Sequence, residues 1–223
     1  MSAETGSGKT AAFCLPMIQC VCENLRGVHV APSSTGGSDV GNNPHKRKHE
    51  EAGGGIPVKL NAQDKDTKLT LSHENSHASA LGIDQWTGCR ATHGVKSGAF
   101  YFEATIVGNG VARIGYATMQ AALELGRDSQ GFGYGGTGMK SHNNSFEAYG
   151  KKYGDGKVIG CLLDTKKREI SYSLDGAHMG KAFTIPAGLA GSILFPAVAL
   201  KNCAVSLNFG AQEFKHPQVN KSC

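Results

Sequence analysis

Ala99-Phe100-Tyr101-Phe102-Glu103-Ala104-Thr105-Ile106-Val107 is the stretch on which the fold turns. Phe100, Phe102, Ala104 and Ile106 take every second position, with Tyr101, Glu103 and Thr105 between them. Successive side chains of a strand point to opposite faces, so this spacing predicts a β-strand with one apolar face turned to a core. Outward from it, similar short runs recur between turn residues: Lys68–Ser72, Val111–Ala117, Lys157–Asp164, Glu169–Leu174, Ser192–Leu200 and Cys203–Phe209. Their even spacing predicts a mainly β domain, an antiparallel two-sheet β-sandwich. Asp175-Gly176, directly after Glu169–Leu174, predicts a tight hairpin turn. The 31 glycines suit such a turn-rich protein better than a helical bundle.

Composition divides the rest of the chain. The strand pattern occupies 67–217, and 218–223 form a short tail. Residues 27–66 hold Pro32-Ser33-Ser34-Thr35-Gly36-Gly37, a Gly53-Gly54-Gly55 triplet and the charged Lys46-Arg47-Lys48. Such a segment supplies no core and predicts a disordered linker. Residues 1–26 hold a glycine loop, then an apolar stretch with Ala12, Phe13, Leu15, Ile18, Cys22 and Leu25 at spacings of three and four. That period predicts a helix, kinked or shortened at Pro16. The net charge of +5 is mildly basic and compatible with RNA or an acidic protein partner. Seven scattered cysteines without a CxxC pair imply reduced buried thiols, not a zinc ribbon or a disulfide framework. No signal peptide and no membrane span are expected, and the sequons at Asn143 and Asn220 then stay unglycosylated.

Ala3-Glu4-Thr5-Gly6-Ser7-Gly8-Lys9-Thr10 has the Walker A spacing. Gly6 and Gly8 let backbone N–H groups close around a β-phosphate without Cβ clashes. Lys9 is placed to bridge the β- and γ-phosphates, and the Thr10 hydroxyl to coordinate Mg²⁺. The helix expected after the loop points its positive end at the anion. The wider phrase from Ala3 to Pro16 resembles motif I of DEAD-box ATP-dependent RNA helicases. That resemblance implies ATP and Mg²⁺ as cofactors, with Thr5, Gly6, Ser7, Gly8, Lys9 and Thr10 as their ligands. It covers about the first 25 residues. No Asp-Glu-Ala-Asp, Ser-Ala-Thr or arginine-finger motif follows, so the isolated chain is expected to be catalytically inactive.

From about Leu69 to Phe214 the sequence resembles a SPRY domain, a bent β-sandwich used for interaction. The matching phrases, in family order, include Gly88-Cys89-Arg90-Ala91-Thr92-His93-Gly94, Ser97–Ala104, Ala112–Ala117, Gly131–Gly135, Val158–Asp164, Ile170–Gly176, Leu194–Val198 and Ser206–Gly210. A SPRY insert after motif I resembles one arrangement among DEAD-box helicases. It implies RNA processing, a nuclear and cytoplasmic location, and a fragment of the helicase. The alternative is a stand-alone adaptor with a vestigial phosphate loop. A monomer is expected. Arg90, Lys96, Arg113, Lys140, Lys151 and Lys152 are candidates for a basic face toward RNA phosphates or an acidic protein, against the plainer reading of scattered solvated charges. Trp86, the only tryptophan, is expected to pack rather than stack on bases.

Two further motifs carry less. His73-Glu74-Asn75-Ser76-His77 spells HExxH, but zinc-protease chemistry needs a helix presenting both imidazoles on one face, and this copy follows a strand-like run. Gly131-Phe132-Gly133-Tyr134-Gly135-Gly136 spells GxGxxG without a following helix, and is expected to be glycine within a strand or loop of the sandwich.

Overall fold

The structure is a computed structural model and describes residues 57–217. Fourteen strands follow in order: β1 Leu60–Lys65, β2 Thr70–Ser72, β3 His77–Ser79, β4 Thr87–Ala91, β5 Ala99–Val107, β6 Val111–Ala117 and β7 Gly131–Gly135. Then come β8 Met139–His142, β9 Ser145–Ala148, β10 Val158–Asp164, β11 Glu169–Leu174, β12 Ala177–Thr184, β13 Phe195–Lys201 and β14 Ala204–Asn208. A single 3₁₀ turn, Ala187–Leu189, lies between β12 and β13. The strands make two antiparallel sheets, ordered β1-β4-β13-β6-β7-β8-β9 and β12-β11-β10-β5-β14-β3-β2. The expected two-sheet β-sandwich is therefore the fold.

The alternation that predicted β5 places its apolar face as expected. Phe102, Ala104 and Ile106 are buried between the sheets, and Phe102 meets Tyr116 of β6 edge-on at 5.6 Å. Tyr116 also donates its hydroxyl to Phe100 O at 2.9 Å, tying the sheets together by one polar link within an apolar layer. Burying each such aromatic or aliphatic side chain contributes about 1.5–3 kcal/mol. The Asp175-Gly176 turn also forms: Leu174 pairs with Ala177, and both central residues take positive φ, +47° and +80°. That conformation suits an Asn/Asp-Gly hairpin.

The polar face of β5 differs from the expectation. Glu103 is 3% exposed, because the chain after β14 returns across this strand. Its carboxylate accepts the backbone N–H of Lys215 at 2.8 Å and of His216 at 2.7 Å, while Tyr101 donates its hydroxyl to His216 O at 2.9 Å. Phe214 packs edge-on against Tyr101 at 4.9 Å. Residues 213–217 thus form a strap over the outside of the second sheet.

A second correction concerns the linker, read from sequence as 27–66. Leu60–Lys65 belongs to the sandwich as edge strand β1, antiparallel to β4. Only Leu60 of this strand is fully buried, so its polarity hid it. It is held instead by polar links: Asp64 to Arg90, and Lys65 Nζ donating to Leu69 O at 2.8 Å. The regions 1–26 and 218–223, and the linker up to residue 56, lie outside the described residues.

Candidate interaction surface

The six cations proposed for one basic face do not share one. A segment between β6 and β7, residues 118–130, crosses the outer face of the first sheet. Ala121 and Leu125 from it pack on Ala117, Ala197 and Ala199 as a second apolar cluster, with Trp86 at its margin. Gly88 permits the crossing, since a Cβ there would stand 1.9 Å from Leu123 O.

Arg90 lies beneath this segment and is 6% exposed. Its Nε and Nη2 donate to the two Asp64 oxygens at 2.6 and 2.7 Å, and Nη1 donates to Ala121 O at 2.7 Å. Arg113 is similarly enclosed. Its guanidinium lies 4.0 Å from the Trp86 ring centroid and 5.2 Å from that of Phe146, and Nη1 donates to Leu125 O at 3.1 Å. Burial lowers the Arg113 pKa from its ordinary value, with Glu124 opposing. Lys140 bridges the sheets: Nζ donates to Ala182 O at 2.9 Å, pairs with Glu147 at 3.2 Å and lies over the Phe183 ring. Arg90 and Arg113 are thus enclosed by protein partners, while the Lys140 side chain stays 24% exposed. Trp86 packs against the second cluster and Arg113, as the plainer reading expected.

Lys96, Lys151 and Lys152 are exposed. Lys151 and Lys152 follow β9, where Tyr134 donates its hydroxyl to Lys151 O. Lys96 lies at the opposite end, beside a group that sequence reading passed over: Lys166, Lys167 and Arg168, all exposed in the β10–β11 turn. Gly98 O accepts both the backbone N–H and the hydroxyl of Thr165 at 2.9 Å, which draws the Lys96 loop against that turn. Among the described residues, the acid ion-paired to this run is Asp164, 3.8 Å from Lys167 Nζ. Three consecutive cations between two apolar runs were the signal available for it.

HExxH forms the β2–β3 hairpin, with His73, Glu74 and Asn75 all at positive φ, so it has no helix face. GxGxxG begins in β7, paired antiparallel with β6 and β8, not in a βαβ unit. Cys89, Cys161 and Cys203 are buried free thiols, and burial pushes Cys89 up to about 12, far from the range of a reactive thiolate. Among the described residues no helix is long and apolar enough to cross a membrane. The phosphate-loop residues Thr5 to Thr10 lie outside the described residues.

Comparison with known proteins agrees with this architecture. The chain is 42% identical to the ATP-dependent RNA helicase Ddx1 of Drosophila melanogaster over 222 residues, 99% of this chain and 29% of the relative. It is 35% identical to the ATP-dependent RNA helicase DDX1 of Xenopus laevis over 217 residues, 97% of this chain and 28% of the relative. The chain thus spans less than a third of these curated relatives. The crystal structure of the SPRY domain of human HERC1 superposes with a TM-score of 0.58 at 19% identity, covering 69% of this chain and 99% of that one, a likeness of fold alone. The SPRY domain model matches residues 99–212, the span that carries β5 to β14 and so most strands of both sheets, and the chain belongs to the SPRY domain family.

Proposed function

We propose that this chain is the SPRY-bearing region of an ATP-dependent RNA helicase engaged in RNA processing in nucleus and cytoplasm. What supports this most is the 42% identity to a helicase of that kind, which extends over 99% of the chain, beyond the limits of the sandwich. In the complete ATPase, the donor set from Thr5 to Thr10 fits Mg-ATP: backbone N–H groups and Lys9 for the phosphates, the Thr10 hydroxyl for the ion. The nucleotide supplies the phosphoryl group whose transfer drives the helicase. SPRY domains are protein-interaction modules, and here the recruiting surface is the loop end that carries Lys96 with Lys166, Lys167 and Arg168, with Lys151 and Lys152 as a separate contact. The chain acts as a monomer and, without the acidic motif that would hold Mg²⁺ and orient water, does not turn over ATP by itself.

An ATPase assay on the chain, with and without RNA, tests the inactivity: no turnover is expected, and turnover abolished by Lys9→Ala overturns it. For the module, a joint Lys166→Glu, Arg168→Glu variant is expected to weaken capture of RNA or of an acidic protein while leaving melting unchanged; unaltered capture refutes the assignment. The adaptor reading has one observation in its favour, that both sheets close their core within 57–217. It prevails if ATP changes neither the proteolytic pattern nor the melting of the whole chain.

A further inference from the structure

The HExxH residues, excluded from protease chemistry by the hairpin, do something else in this fold. Residues 57–59, the β2–β3 hairpin and the end of β14 with the segment after it line an open cavity of ≈660 Å³. His73 and His77 both line it, along with Ser76, Ser206 and Asn208. Their ring centroids are 5.4 Å apart, with planes inclined at 72°. Each ring is fixed by a serine at the same nitrogen: His73 Nδ1 lies 3.0 Å from Ser72 Oγ, and His77 Nδ1 lies 2.9 Å from Ser206 Oγ. When Nδ1–H donates to the serine, Nε2 retains its lone pair, and such an outer partner is what orients a metal-binding imidazole.

The spacing can be tested against coordination geometry. A nitrogen–metal bond of about 2.0–2.1 Å, extended to the ring centre, puts each centroid about 3.2 Å from the ion. Two such rings at a tetrahedral angle stand about 5.2 Å apart, close to the separation found. Glu74 also lines the cavity, with its carboxylate paired to Lys59 at 3.2 Å. Among the described residues no group of three or more His, Cys, Asp or Glu side chains assembles for a metal.

We infer that His73 and His77 form an open two-imidazole site for a borderline divalent transition metal such as Zn²⁺ or Ni²⁺, completed by water within the cavity. Ser72 and Ser206 are positioning residues that set the tautomer and the ring angles. Nitrogen donors select Zn²⁺ and Ni²⁺ over Mg²⁺, which prefers oxygen. The hairpin, not a helix, brings the imidazoles together, and three successive left-handed residues at its tip fix their approach.

Ni²⁺ equilibrium dialysis of the whole chain at neutral pH, with thiols kept reduced, tests the site. His73→Asn keeps a residue that tolerates the left-handed backbone and removes the imidazole. It is expected to lose one bound equivalent relative to the parent chain, with an unchanged circular-dichroism melt. Ser206→Ala is expected to weaken that equivalent by about 10–100-fold, the range for outer-shell partners. His93→Ala, in the loop after β4, is expected to retain it, as is the parent chain in excess Mg²⁺. The same stoichiometry and affinity in the parent and His73→Asn overturn the proposal, as does displacement of the equivalent by Mg²⁺. Loss of the equivalent in His73→Asn with full affinity in Ser206→Ala overturns the positioning role.

Discussion

Replacing Arg90 by Ala removes three hydrogen bonds and one ion pair at a single stroke. Asp64, whose side chain is 15% exposed, is left facing the covered side of the first sheet, and Ala121 O loses its donor. Breaking a buried pair from one side costs about 3–5 kcal/mol, mostly because the surviving charge is uncompensated. Asp64 keeps some contact with water, so the lower figure, about 3 kcal/mol, applies. For a chain of this size each kcal/mol moves Tm by about 2–4 °C, which gives a fall of about 6–12 °C. Removing both charges together, as in Asp64→Leu with Arg90→Met, is expected to recover most of the loss, since an apolar pair of similar volume carries no stranded charge. The assay is urea unfolding followed by the emission of Trp86, the only tryptophan, which stacks on Arg113 at 4.0 Å and reports on the covered face. An unfolding midpoint equal to the parent's, together with weakened RNA binding, would refute the structural role and restore Arg90 to the recognition surface.

Three other perturbations have defined outcomes. Gly88→Ala drives a Cβ to 1.9 Å from Leu123 O, so the crossing segment must move; a loss of about 2–3 kcal/mol is expected, with faster amide exchange over 118–130, and unchanged exchange would show that the segment does not rest there. Glu103→Gln leaves one acceptor oxygen for two backbone N–H groups and turns the other into an NH₂ donor, at about 1–3 kcal/mol, and is expected to expose the strap to trypsin at Lys215 before the core is cut. Alkaline pH acts through the buried tyrosines, since burial pushes Tyr134 up to about 12. The raised folded value makes its contribution complete below the unfolded pKa near 10 and lost as pH climbs toward 12, at about 1.4 kcal/mol per unit. Urea midpoints measured from pH 9 to 11.5 should fall, and fall less steeply in Tyr134→Phe; a flat profile contradicts the burial of that hydroxyl.

How much of this was legible depended on what held each strand. Ala99–Val107, Val111–Ala117 and Glu169–Leu174 were read to the residue because their apolar faces are continuous and end at turns. β1 was not, because its stability comes from an ion pair to a strand some 26 positions away and from lysine donating to a carbonyl, neither of which leaves a periodic trace. β7 is a glycine-rich phrase of the sandwich without strand bounds in the sequence: its glycines accommodate Leu125, packed close above Gly131 and Gly133, a tertiary requirement with no local signature. Glu103 shows the converse failure. Its polarity marked the solvent side of β5 correctly, and only the returning chain made that side an interior.

Cations on outward strand positions and cations in loops have different surroundings. An arginine at an outward strand position looks like a surface charge in sequence, yet Arg90 and Arg113 sit where a later segment folds over the sheet, and their guanidinium donors satisfy the carbonyls of that segment. An Arg is suited to this, since its fixed fork meets a carboxylate and a carbonyl at once. Lysines in loops have no such roof. Lys151, Lys152, Lys166 and Arg168 lie in connections between strands, where the backbone makes the turn and the side chains stay solvated. A surface salt bridge contributes little to stability, so charge reversal there changes binding without changing melting, whereas reversal at Arg90 changes melting first. On the proposed reading, a partner that carries phosphates or carboxylates is expected to meet this sandwich at its loop ends and not on its broad outer face, and a salt-dependent affinity that survives loss of the loop cations would remove that distinction.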